Sequence, residues 1–308
     1  MLLIHDASEL APRRSRVCVG IGVFDGVHLG HQQVIRQTIA DARRHEARAV
    51  VVTFDRHPNA VVAPARVPPL IQSNAQKLRT LELLGVDVTW LIRFDEAFSR
   101  QTGEAFVRRL NADLGHLLSV CVGSEFTFGH KRSGSVFLLQ ELGREMTFDV
   151  HGLAAVALDG QVVSSTRIRD AIRRGEFDAA DQMLGRTYAL DGLVVRGDQL
   201  GRKLGFPTAN LDVTGRIIPP SGVYAVHAET GAKSYRAVVN IGVRPTVKGE
   251  ARPRVEAHLL DFDGELYGQE LELTFAQRLR DERKFASLDA LKNQIAADIT
   301  AARQWFDA

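Results

Sequence analysis

The chain is poor in sulfur, with two cysteines and three methionines among 308 residues. Cys18 and Cys121 each sit in a short apolar run of the kind that forms a buried strand. Neither has a second cysteine or a histidine at metal-ligand spacing, which excludes a thiolate metal centre and leaves two core thiols. An excess of one charge is also missing: 39 Lys and Arg stand against 37 Asp and Glu. Without a large single-sign field, neither a nucleic-acid backbone nor an anionic membrane is an expected partner, and any anionic ligand must be held by local geometry. The basic clusters Arg13-Arg14-Ser15-Arg16 and Arg278 to Lys284 are short and read as solvated faces. No apolar run approaches the ~20 residues that span a bilayer. His5, Asp6 and Glu9 interrupt the first ten residues, so no signal peptide is legible and a cytoplasmic location is expected. Internal repeats and low-complexity tracts are absent, as are the phosphate loop G-x-x-x-x-G-K-[ST] and the H-R-D and D-F-G kinase set.

What is present is a hydrophobic fraction of 45% and a length beyond what one core usually organises, so two domains are expected. Up to residue 184, short β-branched runs (17–21, 49–54, 88–92, 120–122, 148–150) alternate with helix-period segments. One helix runs from about Gly30 to Arg44 with Val34, Ile35, Thr38, Ile39 and Ala42 on one face; another carries Leu78, Leu81 and Leu84 behind Ser73 or Asn74 as caps. Such alternation predicts an α/β domain with a parallel sheet covered on both faces. From Tyr188 the period becomes two, in runs 190–195, 223–228, 235–240, 255–260 and 270–275 broken by Gly and Pro, which predicts an antiparallel sheet closing as a small barrel. A terminal helix follows, capped by Ser287, with Leu288, Leu291, Ile295, Ile299 and Ala302 on its apolar stripe. The boundary falls near Gly185, giving domains 1–184 and 185–308.

The densest chemical signal is Gly22-Val23-Phe24-Asp25-Gly26-Val27-His28-Leu29-Gly30-His31, between the first predicted strand and the first helix. Free backbone N–H groups and the helix dipole favour an anion there. His28 and His31, three apart, can turn both imidazoles toward one point and donate to a phosphate as charge builds. Gly20, Gly22 and Gly26 match a dinucleotide fingerprint weakly, since the third glycine comes one position late. Two histidines alone are too few ligands for a metal. Val163-Ser164-Ser165-Thr166-Arg167-Ile168-Arg169 reads as a hydroxyl-rich helix start that can cap a helix and cradle a second phosphate. Downstream, Gly201-Arg202-Lys203-Leu204-Gly205-Phe206-Pro207-Thr208-Ala209-Asn210 offers backbone N–H groups for phosphates and oxygen ligands for Mg²⁺.

The His-x-Gly-His string resembles the nucleotidyltransferase superfamily, and the longer string resembles the bifunctional riboflavin kinase and FAD synthetase family of bacteria. Thr53 to Pro58, Val122 to Gly129 with Arg132 and Gly134, and the 163–169 segment agree in order. So do the 201–210 stretch, Pro220 to Ala225, Asn240 to Thr246, and Glu256 to Asp261 followed by Leu266-Tyr267-Gly268. The resemblance implies a Rossmann-like nucleotidyltransferase domain that adenylylates FMN and a six-stranded antiparallel barrel that phosphorylates riboflavin. By that resemblance His28 and His31 stabilise the transferring phosphoryl group, and Gly22, Phe24, Asp25 and Gly26 with Ser164, Ser165, Thr166 and Arg167 bind the nucleotide. Glu125, Phe128 and Arg132 meet the flavin. In the barrel, Gly201, Lys203, Gly205, Pro207, Thr208 and Asn210 bind ATP, Thr208 and Asn210 ligate Mg²⁺, and Glu256 is the base. Val23 stands where many members carry Asn, and Glu125 where Asp or Asn is usual. Its ligands would be ATP, riboflavin, FMN and FAD. The alternatives are a chain that retains one of the two activities, or a non-catalytic flavin-binding protein.

Overall fold

The apolar run after the first basic cluster becomes the strand Arg16–Ile21, buried from Val17 onward. The computed structural model describes residues 1–10, 16–245 and 251–308; Arg13, Arg14 and Ser15 of that cluster, and Thr246, lie outside them. The helix Leu29–Arg44 packs the expected face, Val34, Ile35, Thr38, Ile39 and Ala42, into the protein. A Cβ at Gly20 would stand 2.7 Å from the Thr38 hydroxyl, so a glycine in the strand is what lets this helix approach. The next helix, Asn74–Leu83, starts on Ser73 in a capping box with Gln76, as its sequence predicts.

Among the described residues, six strands form one parallel sheet in the spatial order Leu2–Ile4, Val88–Ile92, Arg48–Phe54, Arg16–Ile21, His116–Gly123, Asp149–Leu153. Leu2–Ile4 is an edge strand that the sequence reading did not anticipate. The chain leaves Arg16–Ile21 toward one side of the sheet and returns on its other side at His116–Gly123. The crevice beyond the carboxyl ends of those two strands is therefore a topological switch point, the place where open α/β sheets bind ligands. Apolar clusters cover both faces, one around Ile4, Trp90, Leu110 and Leu139 and the other around Cys18, Ile35, Val51 and Leu81.

The second half closes as a barrel of six antiparallel strands in the order Ala189–Val195, Ala209–Asp212, Ala251–Leu259, Lys233–Pro245, Gly222–Thr230, Glu270–Arg280. Five of these follow the period-two runs. The sixth, Ala209–Asp212, begins on the last two residues of the glycine-rich stretch 201–210. In the last strand Leu271, Leu273 and Phe275 are buried as alternation requires. The helix Leu288–Asp307, capped by Ser287, lays Ile299, Ala302 and Phe306 against Val223, Ala225 and Val238. Leu288, expected on that stripe, is 60% exposed. The chain divides into two compact units: Met1–Arg167 with Met183–Gly185, and Ile168–Gln182 with Arg186–Ala308.

Candidate functional sites

At the carboxyl end of Arg16–Ile21 the backbone takes unusual dihedrals. Phe24 (φ 51°), Gly26 (φ 84°) and Val27 (φ 37°) lie in the left-handed region, which is costly for phenylalanine and more so for a β-branched residue. That turn delivers His28 to the N-cap of the first helix, where its Nδ1 accepts a long bond, 3.4 Å, from the His31 N–H. The two imidazoles stack with centroids 3.6 Å apart, and Phe24 meets His31 edge-on at 5.3 Å. The structure thus brings both histidines together at one helix N-terminus.

Other predicted residues converge on the same turn. The Asp25 carboxylate accepts from the N–H groups of Ile71 (2.9 Å) and Gln72 (3.4 Å), which fixes the loop. Ser165 donates its hydroxyl to the Asp25 carbonyl (3.0 Å), and Ser164 caps the helix start by accepting from the Arg167 N–H at 3.2 Å. Thr166 is exposed, while Gly22 and Gly26 are buried. The Arg167 guanidinium donates through Nη1 to the carbonyls of Leu158 and Gln161, both at 3.1 Å. Glu125, Phe128 and Arg132 follow His116–Gly123, the strand across the switch point. Glu125 and Arg132 are exposed, and Phe128 stacks on Phe126 at 5.3 Å.

Two residues that sequence reasoning missed brace this site. Gln32, buried, donates through Nε2 to the carbonyls of Val27 (3.0 Å) and Leu184 (2.7 Å), pinning the strained residue before His28. Lys77, also buried, donates to the Thr53 hydroxyl (3.3 Å) and the Phe54 carbonyl (2.8 Å), and Thr53 in turn donates to the Val23 carbonyl at 3.0 Å. Burial pushes the Lys77 ammonium down to about 8, against the pull of Asp25 and Asp55. Neither has a sequence signal beyond a polar residue on a helix.

In the barrel unit, Leu200–Leu204 is a short helix closed by Gly205 (φ 89°). A Cβ on Gly201 would come within 2.4 Å of the Phe206 carbonyl oxygen, so the turn tolerates only glycine there. Lys203, Gly205 and Pro207 are exposed along this turn, and Thr208 is half-buried just before the strand. Asn210 lies on the strand, in register with Glu256, which is in register with Asn240 on the other side. Thr208, Asn240, Arg254, Glu256 and His258 line one cleft of about 290 Å³. The alternation of Val255, Ala257 and Leu259 inward with Glu256 and His258 outward holds, but the outward face lines this cleft; the Glu256 side chain is 19% exposed. Hydroxyl, amide and carboxylate oxygens are hard donors suited to Mg²⁺ carried with nucleotide phosphates. His258 Nδ1 stands 2.8 Å from the Pro207 carbonyl, tying strand to turn.

Comparison with known proteins agrees in both halves. The FAD synthetase family pattern matches residues 11–167 and the riboflavin kinase pattern residues 184–306. A bifunctional riboflavin kinase/FMN adenylyltransferase of Pseudomonas fluorescens is 38% identical over 98% of this chain and 97% of its own. The Escherichia coli K12 protein of that description is 38% identical over 98% and 96%, and that of Bacillus subtilis 32% over 99% and 97%. A crystal structure described as a macrolide-efflux protein from Streptococcus pneumoniae shares the fold over 99% of both chains, with a TM-score of 0.82 and 30% identity. Among the described residues of this chain, no helix is long and apolar enough to cross a membrane.

Proposed function

The chain belongs to the bifunctional riboflavin kinase/FMN adenylyltransferase family, phosphorylating riboflavin and then adenylylating FMN, and from that premise we propose how its residues divide the work. Residues 1–184 carry adenylyl transfer and residues 185–308 carry the kinase, in the cytoplasm, on small-molecule substrates and without nucleic-acid or membrane partners.

In the first site the FMN phosphate attacks the α-phosphorus of ATP in line and pyrophosphate leaves. His28 and His31 donate to the α-phosphoryl oxygens as their charge grows, the loop from Gly22 to Gly26 approaches the nucleotide closely, and Ser164, Ser165 and Thr166 present a helix start to the triphosphate. Arg167, held by two carbonyls, steadies that start. Glu125, Phe128 and Arg132 receive the flavin from across the switch point.

In the second site the turn from Gly201 to Pro207, with Lys203, holds ATP, and Thr208 and Asn210 would hold a Mg²⁺, which would supply neutralisation of phosphate charge. Glu256 takes the proton of the ribityl hydroxyl, whose oxygen attacks the γ-phosphorus as ADP leaves. The observation that carries this reading is that Glu256 lines one cleft with Thr208 and Asn240, and stands in strand register with Asn240 on one side and Asn210 on the other. The test supplies riboflavin or FMN separately, with Mg-ATP, to His31→Ala and Glu256→Gln. Each variant should lose one half-reaction and keep the other. A folded variant that loses both, or neither, overturns the division.

A further inference from the structure

Arg254 belongs to none of the motifs above, yet it reaches the carboxylate proposed as the base. Two residues before Glu256 on the strand Ala251–Leu259, it points to the same face of the barrel, because strand side chains alternate. Its Nη2 donates to Glu256 Oε1 at 2.7 Å, and the same nitrogen stands 3.6 Å from Asp198, on the segment leading into the ATP turn. Both Arg254 and Glu256 line the cleft. The partner across the ladder is Gly242, and the Glu282 carboxylate, which also lines the cleft, fills the space that a side chain there would take.

The contact has a consequence for proton transfer. A carboxylate acting as base needs one oxygen aimed at the hydroxyl, and a Glu side chain has three torsions to lose before it is aimed. Arg254 holds Oε1 by a charge-assisted bond and leaves Oε2 for the incoming proton. Asp198 shares the positive charge, so the guanidinium orients the carboxylate without being devoted to it. We propose that Arg254 is a positioning residue of the kinase site: it fixes the rotamer of Glu256 and ties it to the ATP turn through Asp198. This rests on Glu256 being the base.

The experiment measures steady-state FMN formation, with kcat and the riboflavin KM separated, for Arg254→Met, Arg254→Gln and Glu256→Gln, and for the Arg254→Met, Glu256→Gln pair. Arg254→Met keeps the stem and loses the donors, so kcat should fall about tenfold while KM stays within twofold. Arg254→Gln keeps an N–H donor for Oε1 and should recover most of the loss. On the Glu256→Gln background Arg254→Met should cost less than twofold, because no carboxylate remains to be aimed. Conversion of supplied FMN to FAD should hold at the parent rate, and melting of each variant reports its fold. If Arg254→Met aggregates, Arg254→Leu, alone and with Glu256→Gln, replaces it in the same comparison. A kcat for Arg254→Met within twofold of the parent, or an equal loss on both backgrounds, overturns the proposal while leaving Glu256 as base. A parent-like rate for Glu256→Gln removes the base itself, a distinct outcome that takes the proposal with it.

Discussion

Phe177 stacks on Phe275 with ring centroids 5.0 Å apart and planes 12° from parallel. Phe177 opens a helix that precedes the barrel in sequence, while Phe275 is a buried residue of the last barrel strand. The same ring stacks on Tyr188 at 6.2 Å and meets Tyr224 edge-on at 6.2 Å, so it completes an aromatic group on the barrel. A fragment beginning at Gly185, where the change of sequence texture falls, would cut this ring away. Each aromatic pair is worth roughly 0.5–1.5 kcal/mol beyond its buried area. The fragment Ile168–Ala308 should therefore melt about 5–10 °C above Gly185–Ala308. Equal melting points for two soluble fragments would show that Phe177 adds nothing to the barrel.

Lys77 makes stability depend on pH in a direction opposite to most salt-bridged groups. Its ammonium titrates at about 8 when folded, from an ordinary 10.5. Between those values unfolding takes up a proton, so raising the pH disfavours unfolding. The penalty for burying the charge, roughly 3 kcal/mol, is fully present below pH 8 and gone above about 10.5. Lys77→Met carries no such penalty, although it leaves the Phe54 carbonyl without its donor. The unfolding free energy of Lys77→Met minus that of the parent should fall by roughly 2 kcal/mol between pH 7.5 and 10. Urea titrations at the two pH values measure it, and a constant difference would mean that Lys77 titrates normally.

Burial raises the thiols of both Cys18 and Cys121 above the usual cysteine range, and both side chains are fully covered. A covered thiol that resists ionisation is a poor nucleophile. Neither cysteine should react with a disulfide-exchange reagent at pH 8 in the native protein, and both should react in denaturant. One fast equivalent from the native chain would place a cysteine outside the core.

What the sequence made legible is what local period and capping encode. The strand Arg16–Ile21, the helix Leu29–Arg44, the caps Ser73 and Ser287, and the alternation of Leu271, Leu273 and Phe275 each need only neighbours in the chain. Leu2–Ile4 was not legible because three residues carry too little pattern, and its partner, Val88–Ile92, is more than eighty residues away. Ala209–Asp212 starts at the end of a glycine-rich stretch, with only Ala209 and Leu211 to betray a buried face. Side-chain destinations were the least legible. Arg167 faces two carbonyls of the 157–162 hairpin, and Lys77 reads on its helix as one more solvated lysine until tertiary packing covers it.

The stacked pair His28 and His31 can be separated experimentally because the two rings have different second duties. His28 caps its helix through Nδ1, so His28→Ala removes an imidazole and a cap together, the cap being worth about 1 kcal/mol. His31 accepts no such role, and His31→Ala should leave stability closer to the parent. A donor aimed at charge that develops in the transition state is worth about 10² to 10³ in rate. FMN adenylylation should therefore fall about 10²-fold or more in either variant, with riboflavin phosphorylation unchanged. His28→Asn distinguishes the duties: its side-chain oxygen can accept from the His31 N–H, so it should restore the melting point lost in His28→Ala while leaving adenylylation slow. If the two histidines act as one unit on one phosphoryl group, removing both should cost little more than removing either. The deciding measurement is the initial rate of FAD formation from supplied FMN at saturating ATP in all four variants. Recovery of that rate by His28→Asn would make His28 a cap and nothing more, and multiplicative losses in the double variant would mean that the rings act on separate steps.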